Sequence, residues 1–492
     1  MNGYIIGIDI GTGSTKAVAV DPSGKIIAST AVAYPTLRPQ EEYSEQAPEL
    51  IWQAFVKCTQ RTILQTKKQP KAISFSCAMH SLIPVDRDGN ALMNMITWAD
   101  NRSAAIAKRI RNSAIGEMLY EQTGTPIHAM SPLCKILWLK EHSPMLFQQA
   151  FKFISIKEYI WYKLFTVFEV DYSIASATGL FDILKRTWNT NALDTAGIAA
   201  EKLSTPVSTN HYHLVSNSSI QLQLSLSQAT PFYIGGSDGC MANLGSFATD
   251  PGTAALTIGT SGAIRIANTK PTANFKAMTF NYLLDDQTFI SGGPMNNGGA
   301  ALKWYAENFL QQQLSSAQDY ETLLQNLTHS PAGSEGLVFL PYILGERAPL
   351  WNSDACGVFF GIRSKHNQKH FTRAVVEGIC MALLSISQSM EDSGLVANRI
   401  HVSGGFVHSK TWLQILANIF NKEVCLIHPE DASAIGAAYL GLKNLGMIGD
   451  YDQLKPETMD TYSPEATENM IYQKTFKQFR RLYSILQDEI EH

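Results

Sequence analysis

Apolar and polar positions follow two rhythms along this chain of 492 residues. Runs rich in β-branched residues predict strands over 4–10, 16–20, 26–34 and 71–76. Asp21-Pro22-Ser23-Gly24 reads as the turn between the second and the third. Helical spacing puts Ile51, Phe55, Cys58 and Thr62 on one side of a segment over 48–64, with Pro48 in a first-turn position. Residues 150–164 read as another helix and 194–203 as a short one. Near 248–252 the composition changes, and the order strand, glycine turn, strand begins again. That layout predicts an internal repeat, with one domain over 1–247 and a second over 248–492. The second half is richer in helix. Ala374, Gly378 and Ala382 form a small-residue stripe within 370–390. Trp412, Ile415, Leu416 and Ile419 share one face of 411–420, capped by Ser409 or Thr411.

Composition narrows the class. The length exceeds what one core supports, and 45% hydrophobic with 17% charged residues is ordinary for a soluble globular protein. A net charge of -4 argues against nucleic-acid binding, which needs basic surface. No apolar run reads as a bilayer span, and the first strand begins without a signal core, so no membrane association and a cytoplasmic location are expected. Seven scattered cysteines without a C-x-x-C pair predict reduced thiols rather than disulfides or structural zinc. His211-Tyr212-His213 has the makeup of a metal pair, but the sequence favours a surface loop.

The chemistry concentrates in glycine turns. Ile5-Ile6-Gly7-Ile8-Asp9-Ile10 ends in a carboxylate, then turns through Gly11, Thr12, Gly13 and Ser14 toward Thr15 and Lys16. Glycines let backbone N–H groups approach a phosphate, the hydroxyls and Lys16 add donors, and Asp9 suits a metal ion. A second copy stands at Ile258-Gly259-Thr260-Ser261-Gly262. Two such turns gripping one phosphate chain predict a nucleotide-using, two-lobed protein. Neither is a Walker A loop or a dinucleotide fingerprint, because each continues into a strand where those motifs open a helix.

Other segments leave two readings open. Gly235-Gly236-Ser237-Asp238-Gly239 puts an Asp at a strand tip, either as a general base or as an Asx turn. Ser291 to Gly299 leads into a helix over 300–309, and Gly404-Gly405 follows a strand; each reads as a nucleotide contact or as a tight connection. Met79-His80 and Trp98-Ala99-Asp100-Asn101-Arg102 offer an imidazole, a carboxylate, a guanidinium and an indole, a set suited to a polyol or sugar acid.

The whole chain resembles the FGGY carbohydrate kinases of the actin-like ATPase superfamily. Met130-Ser131-Pro132-Leu133-Cys134-Lys135 through His142 looks like the family's first diagnostic pattern, and Gly357 to Ile362 with His370 to Glu377 like its second. Ala78 to Leu82, Gly236 to Gly239, Gly259 to Arg265 and Leu340 to Pro349 are similar to the gluconate kinase branch. Xylulokinases usually carry Asp-Asn where this chain has Asp238-Gly239. The resemblance implies an α/β fold of two actin-like ATPase (ribonuclease H-like) domains around a central cleft, the first holding the sugar and the second the adenine. It implies ATP-dependent phosphorylation of a small-molecule sugar or sugar acid, gluconate first and a pentulose second, with a homodimer expected by analogy alone. Asp238 would be the base and Asp9 would help hold Mg²⁺. Gly11, Thr12, Gly13, Ser14, Lys16, Thr260, Ser261, Gly262, Gly299, Lys303, Gly405 and Ser409 would contact ATP. Met79, His80, Asp100, Arg102, Met130 and Asp171 would line the sugar site, with Arg102 meeting a sugar-acid carboxylate. An actin-like ATPase that binds protein partners would share the phosphate turns but need no sugar pocket.

Overall fold

The computed structural model describes residues 3–427, 431–456 and 460–490. The first apolar run forms β1 (Ile5–Ile10), which turns back antiparallel into β2 (Ser14–Val20) and then β3 (Ile26–Ala33). Register sets Asp9 opposite Lys16. With β4 (Ala72–Cys77), β5 (Tyr212–Val215) and β6 (Thr230–Ser237) they make a six-stranded sheet in the order β5-β6-β4-β1-β2-β3. The second half repeats the plan with β7 (Thr253–Ile258), β8 (Gly262–Asn268), β9 (Phe280–Leu283) and β10 (Phe289–Met295). It adds β11 (Arg399–Ser403), β12 (Glu423–Leu426) and β13 (Asp460–Tyr462), giving the order β9-β10-β8-β7-β11-β12-β13. The runs β3-β2-β1-β4-β6 and β10-β8-β7-β11-β12 share one pattern, two antiparallel pairings followed by two parallel ones. The weak repeat in the sequence is thus a repeat of sheet topology.

Helices cover the sheets. α1 (Pro48–Thr66) buries Ile51, Phe55, Cys58 and Thr62, and Pro48 occupies its first turn. α2 (Asp238–Gly245) follows β6 directly, with the Ser237 hydroxyl accepting from the Cys240 N–H as its cap. α3 (Gly299–Trp304) widens into a π-type turn over Tyr305–Phe309. α4 (Gln368–Glu391) fills the second core; a Cβ on Gly378 would lie 2.4 Å from the Phe339 carbonyl oxygen, so only glycine fits that contact. By length and composition α4 matches a membrane span, contrary to expectation, yet it is mostly buried in the fold and carries the Arg373–Glu377 ion pair. α5 (Lys410–Phe420) is capped by Ser409, the first of the two caps considered. α6 (Ala432–Asn444) and α7 (Ala466–Ile490) follow.

α6 breaks the simple division at residue 248. It belongs to the second half of the chain but packs on the first sheet, where a Cβ on Gly7 would sit 1.9 Å from the Ala434 carbonyl oxygen. It also crosses α2 closely: Cβ atoms on Gly436 and Gly245 would lie 1.9 Å and 2.0 Å from the carbonyl oxygens of Met241 and Ala432. Two local expectations also shift. Residues 150–164 split into a strand, Lys152–Ile154, and a helix, Ile156–Phe165, because a Ser155–Glu158 capping box starts the helix late. The helix expected over 194–203 runs instead over Thr190–Ala196 and stops at Gly197, whose φ of +69° ends it.

Candidate active site

A cavity of about 710 Å³ opens between the two sheets. The tips of β1, β6, β7 and β11 all reach it, since the parallel strands of both sheets point their C-terminal ends inward. Asp238, the first residue of α2, projects into it, and its Oδ1 accepts from the Gly239 N–H at 2.7 Å. Burial pushes its pKa up to about 7, and the negative charge of Asp9 adds to the rise. Asp9 lies on the same cavity wall; burial raises its pKa, against a 2.7 Å hydrogen bond donated by Ser76.

The end of the cavity where the phosphates are expected draws on both repeats. Thr12 and Lys16 face it from the first turn, Gly259, Ser261 and Gly262 from the second, and Gly404 and Gly405 from the end of β11. Gly404 holds φ at +103°, and a Cβ there would meet the Ile258 carbonyl oxygen at 2.4 Å. Gly11, Gly13, Ser14 and Thr260 shape the turns without lining the cavity; the Gly11 N–H donates to the Ser14 carbonyl. Gly299 stands behind, its N–H on the Gly259 carbonyl at 2.7 Å, so the start of α3 braces the second turn. Two expected nucleotide contacts point elsewhere. Lys303 faces Glu307 at 3.6 Å, and the Ser409 hydroxyl is spent on the α5 cap while His408 lines the cavity. Lys16 is ion-paired with Asp431 at 2.6 Å, a cavity residue from the far end of the chain.

The end of the cavity where a sugar is expected is lined by Met79, His80, Trp98, Met130, Arg265, Tyr282 and Arg347. His80 sits at φ +64°, a costly conformation for a side-chain-bearing residue. Its Nδ1 lies 2.7 Å from the Ala177 carbonyl, which can only accept, so Nδ1 carries the proton and Nε2 is left as an acceptor 3.3 Å from the Tyr282 hydroxyl. Burial lowers its pKa to about 3, which keeps the ring neutral. Beneath it the buried Lys135 ammonium donates to the carbonyls of His80 at 2.5 Å and Thr97 at 2.7 Å, and burial lowers its pKa to about 7. Trp98 Nε1 donates to Thr12 Oγ1 at 2.8 Å, tying the sugar wall to the phosphate turn.

Three expected sugar contacts lie away from the cavity. Asp100 and Arg102 are buried in an ion pair at 2.7 Å, Arg102 also pairs with Glu45 at 2.7 Å, and its guanidinium lies 3.7 Å over the Tyr43 ring. Its charge is already answered by two carboxylates. Asp171 is buried against Lys157 at 2.7 Å, and Lys157 donates to the Gly236 carbonyl at 2.9 Å. That pair props the end of β6 immediately before Asp238.

Two matching segments account for most of the chain: the N-terminal domain of the FGGY family of carbohydrate kinases over residues 4–245, and its C-terminal domain over 254–445. The chain belongs to the FGGY family of carbohydrate kinases. It is 39% identical over 493 residues to a gluconokinase of Bacillus subtilis (strain 168), covering 99% of this chain and 95% of that one. A xylulose kinase of the same strain is 30% identical, covering 99% and 97%. Among solved structures, a ligand-bound xylulose kinase from Lactobacillus acidophilus matches with a TM-score of 0.93 at 33% identity, covering 99% of each chain. A gluconate kinase from Lactobacillus acidophilus matches with a TM-score of 0.92 at 33% identity, covering 98% of each. The protein is therefore a sugar kinase with the two-domain, actin-like fold, and its family uses ATP as phosphate donor.

The cavity of this FGGY kinase is also lined by charged residues that the sequence did not single out, Arg265, Arg347 and Asp431. Arg265 and Arg347 enter the sugar end as buried guanidiniums, and among the described residues neither makes an ion pair. Arg265 bonds only neutral oxygens, Asn243 Oδ1 and Thr257 Oγ1, both at 3.0 Å. Arg347 bonds Asn296 Oδ1 at 2.7 Å and the Met295 carbonyl at 3.0 Å, and lies 4.9 Å over the Trp98 ring. A signal for Arg265 was present: it stands two residues after Ala263 in β8, on the same strand face. Asp431 left no local signal, since its partner Lys16 is 415 residues away. Asp9, Asp238 and Asp431 give the phosphate end three carboxylates, the hard-oxygen chemistry that fits Mg²⁺.

Proposed function

We propose that this kinase transfers the γ-phosphoryl group of ATP to the primary hydroxyl of gluconate, giving 6-phosphogluconate. The observation that carries the gluconate reading is the pair of cavity guanidiniums, Arg265 and Arg347, without carboxylate partners among the described residues. Asp238 and Glu346 act on the two guanidiniums only from beyond ion-pair distance, so the carboxylate of a sugar acid would be their first direct ionic partner. The gluconokinase relatives support the same choice.

In this reading Asp238 accepts the hydroxyl proton as the new O–P bond forms and the bond to the ADP oxygen breaks. Its raised pKa suits a base working near neutrality. Thr12 and Lys16 from the first turn and Ser261 and Gly262 from the second, which line the cavity, hold the phosphates and offset their charge. Mg²⁺, held through Asp9 with Asp431 nearby, would neutralise charge on the phosphoryl oxygens. The Nε2 of neutral His80 is the one acceptor of its ring, and a sugar hydroxyl would compete with the Tyr282 hydroxyl for it. Closure of the lobes excludes water, which competes as phosphoryl acceptor.

The test is a coupled assay with gluconate, xylulose, ribulose and glycerol. Gluconate is expected to give the highest kcat/KM. Arg347→Met should raise the gluconate KM about 10- to 100-fold, the scale of a charged hydrogen bond, and change xylulose little. The alternative is a xylulokinase, favoured by the similarity to xylulose kinases. A kcat/KM for xylulose above that for gluconate overturns the gluconate reading and leaves the sugar kinase standing.

A further inference from the structure

We propose that Glu169, His211 and His213 form a transition-metal site on the outside of the first lobe, of the kind that takes Zn²⁺. The sequence motif reads as a surface loop, but the structure puts it at the start of β5, the edge strand of the first sheet. The His211 carbonyl still accepts from the Ile234 N–H, so the ladder extends through it. Residues two apart on a strand project to one face. Both imidazoles therefore turn toward the short strand Glu169–Asp171, which supplies the third group.

The three ligand atoms converge. His211 Nε2 lies 3.1 Å and His213 Nε2 lies 2.9 Å from Glu169 Oε2, and the two nitrogens are 3.3 Å apart. Such a triangle has a circumradius of about 1.8 Å, so an ion about 1 Å off its plane meets all three atoms at the usual Zn–N and Zn–O lengths. Hydrogen bonding alone satisfies the arrangement poorly. The same carboxylate oxygen already accepts from Trp161 Nε1 at 3.0 Å. If both rings carry a proton on Nε2, two N–H groups face each other at 3.3 Å. If one does not, its lone pair and the carboxylate compete for a single donor. A cation accepts all three lone pairs at once.

The surroundings match a built site. The Trp161 indole orients the carboxylate from behind, the role that outer hydrogen bonds play around bound metals. The Trp161 and Phe165 rings stand 5.7 Å and 5.1 Å from the His213 ring and hold it. The three side chains are 18–35% exposed, which leaves a fourth position open to water. Two imidazoles and a carboxylate select Zn²⁺, Co²⁺ or Ni²⁺ over Mg²⁺. None of the three residues lines the central cavity, so the site is separate from phosphoryl transfer. Its effect is to clip the Glu169–Asp171 strand to the sheet edge.

The experiment uses full-length, untagged protein stripped with EDTA and exchanged into metal-free buffer. Titration with Zn²⁺ is expected to show one ion per chain with a Kd of about 1 μM or tighter. His211→Gln and His213→Gln should each weaken binding at least about tenfold. Zn²⁺ should raise the Tm of the parent and not of the double variant. Sugar kinase activity with Mg²⁺ should stay at the parental level in both variants, so a failed site and a failed kinase assignment are read separately. No stoichiometric Zn²⁺ binding by the parent, or binding undiminished in the double variant, overturns the proposal. If the variants fold poorly, the Co²⁺-loaded parent decides: a tetrahedral ligand-field spectrum supports the site, and a featureless one overturns it.

Discussion

At the scale of single residues, the proposed reaction assigns the base role to one carboxylate whose surroundings disfavour its charge. Asp238 ionises near pH 7 because it is desolvated beside Asp9. A base must be deprotonated, so kcat/KM should rise with pH up to about 7 and level off above it, falling about tenfold per unit on the acid side. Initial rates across pH at low sugar concentration measure this, and a flat profile between pH 5 and about 8 would sink it. Asp238→Asn should keep ATP binding and lower kcat at least about 10²-fold. The cavity positions of Asp9, Asp238 and His80 were legible because Asp9 lies near the end of an apolar strand and the other two follow one. Arg102 misled for the opposite reason. Nothing near it in sequence says that Glu45 and Tyr43 enclose its guanidinium, and those contacts decide its role.

At the scale of elements, the glycines do different work from place to place. Those of α2 and α6 set a helix crossing with no room for a methyl group. Gly436→Ala forces a Cβ to within 1.9 Å of the Met241 carbonyl oxygen, so α2 must shift. The expected cost is about 1–3 kcal/mol of stability, read as a lower urea midpoint. Because α2 carries Asp238 at its start, kcat should fall further than stability alone explains. Gly404→Ala adds strain at a φ of +103° to a Cβ 2.4 Å from the Ile258 carbonyl oxygen, so it should lower stability as well as weaken ATP binding. The small-residue stripe of α4 was readable at helical spacing. The α2–α6 crossing was not, because its two sides lie almost 200 residues apart and each alone looks like an ordinary glycine in a helix.

For the whole molecule, the repeat of topology was foreseeable and the exchange of α6 between halves was not, since the sequence orders elements but does not say which sheet each covers. The charge of the sugar end is likewise a property of the assembled fold. Arg265 and Arg347 line the cavity from distant segments, and Lys135, behind its wall on the His80 and Thr97 carbonyls, has no ion pair among the described residues. Its pKa falls from an ordinary 10.5 to about 7 in the folded state. Between those values the unfolded chain holds more protons, so this group makes the fold more stable as pH rises through that window. The parent should gain stability relative to Lys135→Met from pH 7 upward, measured by urea melts at stepped pH.

If the substrate is the sugar acid proposed above, the lowered pKa of Lys135 behind His80 makes its capture a proton-linked event. Near neutral pH its amine is shared between two states of charge, and an anion arriving above His80 favours the protonated one. Each molecule of a sugar acid would then draw a fraction of a proton from the medium. Calorimetric heats for gluconate should change with the ionisation enthalpy of the buffer, while those for an uncharged pentulose should not. A mildly acidified environment would tighten the hold on the acid and leave the neutral sugar indifferent.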